Sequence, residues 1–441
     1  VRVTAVTIHS GQTASFRRIA GLALPALAVL AAEPLYLLVD TAVVGHLGRV
    51  PLAGLAIGGT VLAVTAWLGN VLAYGTTGRA ARSFGAGSRP AAVAEGVQAT
   101  WLALGVGLVF VVLAQFGAGP LTSALSGDPE VAAAAHTWLR IASLGVPFIL
   151  LIFAGNGWMR GVQDTRRPVY YVLGANVLSA VLCPLLVYPA GLGLAGSAVA
   201  NVAAQITAGV LFLRALIAER VPLTPQPAVL RRQLVLGRDL LLRGAAFQAC
   251  FLSAAAVAAR FGAAAVAAHQ IGLQLWMFCA FALDAVAIAA QSLVGSALGA
   301  GDVMAARRTG ARIGWLGLVS GGGLALIVLA LAGVLPHVFT DDEAVLAQAA
   351  VVWPWFVAML PLNGVVFALD GVLVGAGDAR YLRNLTFVAA LCGFLPAIWA
   401  ALIFDWGLNG VWAGLTLFIV LRLVAVLLRL RGGAWAVPGS L

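Results

Sequence analysis

The sequence predicts an all-α polytopic membrane protein, with twelve transmembrane helices in two six-helix lobes related by pseudo-two-fold symmetry. Three observations carry that prediction. The first is composition: of 441 residues, 62% are hydrophobic and only 10% charged. A soluble domain carries about 25% charged residues, and no stretch here is charged enough to cover one. The second is rhythm, because all 26 basic residues are Arg and fall in short clusters between long apolar runs. The third is an internal match between the two halves.

A spanning helix needs about 20 apolar residues. Cutting at Arg clusters and turn residues gives spans at 19–48, 52–81, 93–118, 131–158, 168–190 and 192–216, then 239–261, 264–298, 305–334, 344–374, 382–403 and 408–431. Arg2, Arg17 and Arg18 precede the first span, and Arg79, Arg82 and Arg89 close the second. Arg160, Arg166 and Arg167 follow the fourth, and Arg214, Arg220, Arg231, Arg232, Arg238 and Arg243 surround the connection after the sixth. Arg307, Arg308 and Arg312 follow the eighth, Arg380 and Arg383 the tenth, and Arg422, Arg429 and Arg431 the last. Apart from Arg49, Arg140 and Arg260 the opposite ends are neutral or acidic, as in Asp128-Pro129-Glu130 and Asp341-Asp342-Glu343. By the positive-inside rule both termini are cytoplasmic, which requires an even number of spans.

The Pro-rich, charged stretch 219–238 divides the chain into an N-terminal lobe, 1–218, and a C-terminal lobe, 239–441. Residues 42–201 align without a gap on 256–415, an offset of 214 with 36 identities, about twice the chance expectation for so biased a composition. The matches include Gly48 with Gly262, Gly85-Ala86-Gly87 with Gly299-Ala300-Gly301, Pro147 with Pro361, Gly157 with Gly371 and Gly161 with Gly375. Six spans is an even number, so both copies share one orientation and the pseudo-symmetry axis runs along the membrane normal. Such repeats frame a cavity that rocking exposes to either side, which makes a transporter the leading class.

Composition and motifs also exclude. The net charge of +10 is spread over span ends rather than along one face, so no nucleic-acid partner is expected. Cys183, Cys250, Cys279 and Cys392 lie in apolar runs without CxxC spacing, which reads as packing rather than a disulfide or metal framework. Val1 to Arg18 lacks an apolar core and is not expected to be a cleavable signal peptide. Gly191-Leu192-Gly193-Leu194-Ala195-Gly196 fits GxGxxG but joins two apolar runs with no preceding strand. No nucleophile–base pair and no HExxH is evident, so the chain is not expected to be an enzyme, and no organic cofactor or metal is expected. An ion channel is the remaining transport class, which duplicated lobes disfavour.

Four of the sixteen carboxylates lie well inside apolar runs: Glu33, Asp40, Asp284 and Asp370. A charge at the bilayer centre costs about 2.5–3.5 kcal/mol on insertion scales, so such residues mark functional sites by default. Glu33 and Asp40 are seven residues apart, which on a helix puts them on one face about 10.5 Å apart, and both are candidates for ion coupling. Asp284 and Asp370 align with Asn70 and Asn156, so these four are candidates for substrate or cation contact, with interhelical hydrogen bonding the structural alternative. Asp164/Arg166 and Asp378/Arg380 read as structural salt bridges, and His46 and His269 as hydrogen-bonded residues near helix ends. Trp67, Trp276, Trp353 and Trp355 suit either an aromatic cleft or interfacial anchoring.

Several segments together resemble one transporter family. The first span reads Glu33-Pro34-Leu35-Tyr36-Leu37-Leu38-Val39-Asp40-Thr41-Ala42-Val43-Val44-Gly45-His46-Leu47-Gly48. Later come Ala267-Ala268-His269-Gln270-Ile271, Leu283-Asp284-Ala285, Gln291-Ser292-Leu293-Val294-Gly295-Ser296-Ala297-Leu298-Gly299-Ala300-Gly301 and Asp370-Gly371-Val372-Leu373-Val374-Gly375-Ala376-Gly377-Asp378. These resemble the multidrug and toxic compound extrusion (MATE) transporters of the DinF-like branch, over nearly the whole chain. The resemblance implies an antiporter exporting organic, often cationic or aromatic compounds against H⁺ or Na⁺, with Asp40 in ion coupling and the first-helix bend at Pro25 or Pro34. It departs from the family at Cys183, where an acidic residue often stands, in the stretch Asn176 to Pro184. Losing a hard oxygen ligand weakens a Na⁺ site, by analogy with harder cations, and favours H⁺. Asn176 and Ser179 remain to orient Asp40. A Na⁺-coupled exporter and a lipid-linked precursor flippase are the alternatives, the latter requiring Arg inside the cleft, whereas Arg here clusters at span ends. A monomer is expected, and a chain rich in Ala without Lys suits the cytoplasmic membrane of a GC-rich bacterium.

Overall fold

In the computed structural model, residues 14–439 are described; most of the N-terminal stretch ahead of Arg18 lies outside them. Among the described residues all regular structure is helical. The elements are α1 (Phe16–Gly45), α2 (Arg49–Gly85), α3 (Arg89–Leu125), α4 (Pro129–Ser143), α5 (Val146–Gly161), α6 (Arg166–Val187) and α7 (Gly193–Ala218). There follow α8 (Pro227–Arg260), α9 (Ala263–Gly299), α10 (Val303–Ala330), the short α11 (Leu335–Phe339) and α12 (Glu343–Gly375). The chain ends with α13 (Ala379–Val388), a π-helical turn (Ala389–Phe394), α14 (Leu395–Ile403) and α15 (Gly407–Gly432). Eleven helices are long and apolar enough to cross a membrane, or twelve when the bent pair α4–α5 counts as one span. The chain is a multi-pass membrane protein.

The duplication is written into the backbone. Shifted by 214 residues, α2 falls end to end on α9, and α7 on α15. All five left-handed residues between 46 and 195 recur at that offset: Gly48, Gly87, Gln163, Gly191 and Gly193 find Gly262, Gly301, Gly377, Asp405 and Gly407. At Gly48 and Gly262 φ is 113° and 105°, a conformation closed to side chains, so glycine starts α2 and α9.

Two compact units divide the chain: Leu24–Gly237, and Arg238 onward together with the residues up to Ala23. The second unit therefore includes the start of α1, and just ahead of that helix Ala14 N–H donates to Thr309 Oγ1 (3.5 Å) and Arg312 donates to the Ala14 carbonyl (3.1 Å). Within the first unit α2 packs on α3, α4 and α5, and α6 on α7; within the second, α9, α10 and α12 form the corresponding set. Small residues make these crossings. A Cβ at Gly157 would meet the Ala73 carbonyl at 2.9 Å, and one at Gly371 would meet Ala287 Cα at 2.6 Å. Gly161 and Gly375, one turn on, sit as tightly, so each copy carries a GxxxG contact.

Three segments differ from the expected spans. The fourth is broken rather than continuous, with a 49° bend between Ser143 and Val146. Gly145 and Pro147 stand together there, and Pro147 has no N–H for the Ser143 carbonyl. In the second copy Met359 replaces Gly145, and α12 runs unbroken past Pro361. The eleventh span carries a π turn just before Pro396, which reseats the backbone bonds that proline removes. The connection 219–238 is strapped down rather than loose, and is helical from Pro227 onward, a residue suited to a helix start. Trp101 and Gln98 of α3 donate to the carbonyls of Leu223 (2.8 Å) and Thr224 (3.0 Å), and Arg89 pairs with Glu219 at 2.6 Å.

Candidate functional site

Asp40 lies on α1 and is 1% exposed. It is held by α6 and α7 of the same unit. Ser197 Oγ donates to Asp40 Oδ1 at 2.7 Å, and the Cys183 thiol donates to the same oxygen at 3.2 Å. Ser197 is itself oriented by α4, because Trp138 Nε1 donates to its oxygen at 3.3 Å. One turn earlier on α1, the Tyr36 hydroxyl accepts from Asn201 Nδ2 (2.9 Å) and stands beside Ser179. The end of α1 is pinned by Tyr188, whose hydroxyl donates to the Val43 carbonyl at 2.7 Å.

The spacing explains the cluster. Tyr36 and Asp40 are four residues apart, as are Ser179 and Cys183, and Ser197 and Asn201, so each helix presents one polar stripe. Both donors to Asp40 use Oδ1, and among the described residues Oδ2 accepts no bond and no cationic side chain pairs with the carboxylate. Neutral donors alone balance a negative charge there, so the site is chemically open to a proton or a small cation.

The other sequence candidates separate. Glu33 and Pro34 lie within α1 with Pro25, and the Glu33 side chain is outside the described residues. Asn176 is half-buried on α6 and is not among the donors to Asp40. Asn70 and Asp284 are half-buried on α2 and α9; Asn156 is buried on α5 with Oδ1 unbonded among the described residues. Asp370 is not an open cation ligand. In the second unit both Arg243 and Arg422 donate to its Oδ2. Arg also enters the helices elsewhere: Arg79, Arg82 and Arg160 are buried as well, so Arg is not confined to exposed span ends.

Smaller expectations are also revised. Asp164 pairs with Arg167 (3.1 Å) rather than Arg166, and Asp378 with Arg429 (2.7 Å) rather than Arg380. His46 bonds the Ala42 carbonyl at 2.7 Å, whereas His269 is fully buried against Trp412 with neither ring nitrogen bonded among the described residues. Cys183 is no mere packing residue, since its thiol reaches Asp40. Ser197, Asn201 and Tyr36 were not singled out from sequence; their four-residue stripes were the available signal.

A duplicated six-span unit holding one buried carboxylate among neutral donors defines a membrane transporter rather than an enzyme. The profile of the family described as MatE matches residues 25–185 and 240–399. DNA damage-inducible protein F of Escherichia coli is 31% identical over 447 residues, covering 96% of this chain and 94% of that protein. Protein DETOXIFICATION 44, chloroplastic, of Arabidopsis thaliana is 34% identical over 437 residues, covering 95% and 83%. Among solved structures, one described as MATE in the bent conformation matches at a TM-score of 0.86 and 21% identity, covering 95% and 94%. The chain belongs to the MATE family.

Proposed function

We propose that the protein exports organic, often cationic or aromatic compounds in exchange for H⁺ by alternating access, with Asp40 carrying the proton. The observation behind this is the Asp40 carboxylate itself: buried, bonded at one oxygen by neutral Ser197 and Cys183, and without a cationic partner among the described residues. Its other oxygen is available to a proton. A Na⁺ site wants several hard oxygen ligands, by analogy with harder cations, and sulfur at residue 183 is a poor one. That favours H⁺ over Na⁺. The names MATE and DETOXIFICATION, borne by similar proteins, support export as the direction.

In this cycle a proton taken from outside neutralises Asp40. Helix α1 then bends near Pro25, where the ring leaves a backbone carbonyl without its helical partner, and substrate is released before the proton passes to the cytoplasm. The Arg distribution supports cytoplasmic termini, and we place the protein, as a monomer, in a bacterial cytoplasmic membrane.

Reconstitution into liposomes with separately imposed gradients tests the ion. An acidic lumen is expected to drive accumulation of a fluorescent organic cation, and an equal Na⁺ gradient at uniform pH to drive none. Accumulation driven by Na⁺ alone would overturn the assignment to H⁺.

A further inference from the structure

The repeat matches positions 214 residues apart, and two buried polar clusters, one in each copy, have no equivalent in the other. Where the first has Asp40, Cys183 and Ser197, the second has Ala254, Ala397 and Val411. Where the second has Arg243, Asp370 and Arg422, the first has Val29, Asn156 and Ala208. The second unit thus holds two guanidinium groups on one carboxylate oxygen.

One positive charge is left over, and Arg422 is 1% exposed. Among the described residues Nε of both arginines and Oδ1 of Asp370 have no hydrogen-bond partner. A buried charge without a counter-ion is strongly unfavourable, so this cluster has the charge and the unused donors to take one more anion.

What adjoins the cluster is aromatic. The Arg422 guanidinium lies 4.6 Å from the Phe247 ring centre and 5.7 Å from that of Phe418, and Arg243 lies 5.5 Å from Phe247. The same two rings wall an apolar pocket with Phe251, Trp276, Met359 and Trp412. Its free space is about 20 Å³, little more than a water occupies, so a larger body requires a wall side chain to move; Phe247, which touches both arginines, is half-buried.

We propose that the second unit binds a monocarboxylate with an aromatic or alkyl body. The ligand's carboxylate takes the guanidinium groups of Arg243 and Arg422, and its body takes the pocket behind Phe247. Asp370 is the internal stand-in that occupies both arginines when no ligand is bound. This site is separate from Asp40 and does not depend on its role.

Titration calorimetry on the purified full-length protein tests it, using 4-phenylbutyrate and its neutral amide. The acid is expected to bind saturably and the amide at least about tenfold more weakly, the loss of a charged hydrogen-bonded contact. Asp370→Asn removes the competitor and is expected to tighten the acid about tenfold; Arg243→Gln and Arg422→Gln are expected to weaken it by as much. A purely structural triad predicts no tightening in Asp370→Asn. Equal binding of acid and amide by the wild-type protein overturns the proposal, as does an Asp370→Asn variant that melts like wild type and binds no more tightly. Should Arg422→Gln fail to fold, the wild-type comparison and the other two variants decide.

Discussion

Ser197 performs two tasks with one hydroxyl: it accepts from the Trp138 indole and donates to Asp40, so α4 fixes the direction of the bond that α7 delivers to α1. A hydrogen bond to a charged group is worth about 1.5–3 kcal/mol, or roughly ten- to a hundredfold in an equilibrium. Ser197→Ala is therefore expected to lower the initial rate of pH-driven efflux about tenfold or more, with Ser197→Thr restoring most of it. An alanine variant working at the wild-type rate would show that Ser197 is incidental. At this scale the carboxylate was legible and its partners were not. A lone Asp in an apolar run stands out, because charge there is expensive. Ser and Asn recur throughout apolar helices, and what distinguishes Ser197 is the approach of a residue 157 positions away. Cys183 was visible as a departure from the family, yet its bond to Asp40 depends on how α6 packs. For Asp370 cation contact and interhelical bonding stay open in the sequence, because Arg243 and Arg422 reach it from helices distant along the chain.

Helix crossings are set by glycine at matching places in the two copies. Gly371 lies against the backbone of α9 and has no room for a side chain, whereas a Cβ at Gly322 of α10 would meet nothing within 4 Å. Overpacking a tight contact costs about 1–3 kcal/mol or more. Gly371→Leu is expected to lower the melting temperature and the yield of monodisperse protein in detergent, while Gly322→Leu leaves both unchanged. Equal stability of the two variants would mean that the GxxxG contact does not hold these helices. The spans were legible because a bilayer imposes length and apolarity directly on the chain. The broken fourth span was harder to foresee: Gly145 and Pro147 together interrupt the helix, while Pro361 alone, at the matching place, does not. The strapped connection was hidden as well, since its charged composition reads as loop and its anchors, Gln98 and Trp101, belong to α3.

At the scale of the molecule, one sequence unit was used twice and then specialised. Offset, helix ends and left-handed turn residues agree at 214 residues, which is why the duplication could be seen in the sequence and recurs in the backbone. The two copies depart from that agreement at their buried polar sites. The first copy keeps a negative site with neutral donors; the second replaces it with Ala254 and Val411 and carries an arginine pair elsewhere. The coupling proposed for Asp40 thus has no counterpart in the second copy, where Ala254 stands. The most direct test is counterflow and pH-driven efflux of a fluorescent cation in vesicles containing wild-type protein or Asp40→Asn. The variant is expected to keep substrate exchange at equal pH and to lose acceleration by a proton gradient. Proton-driven efflux by Asp40→Asn at the wild-type rate would contradict the central role of this carboxylate.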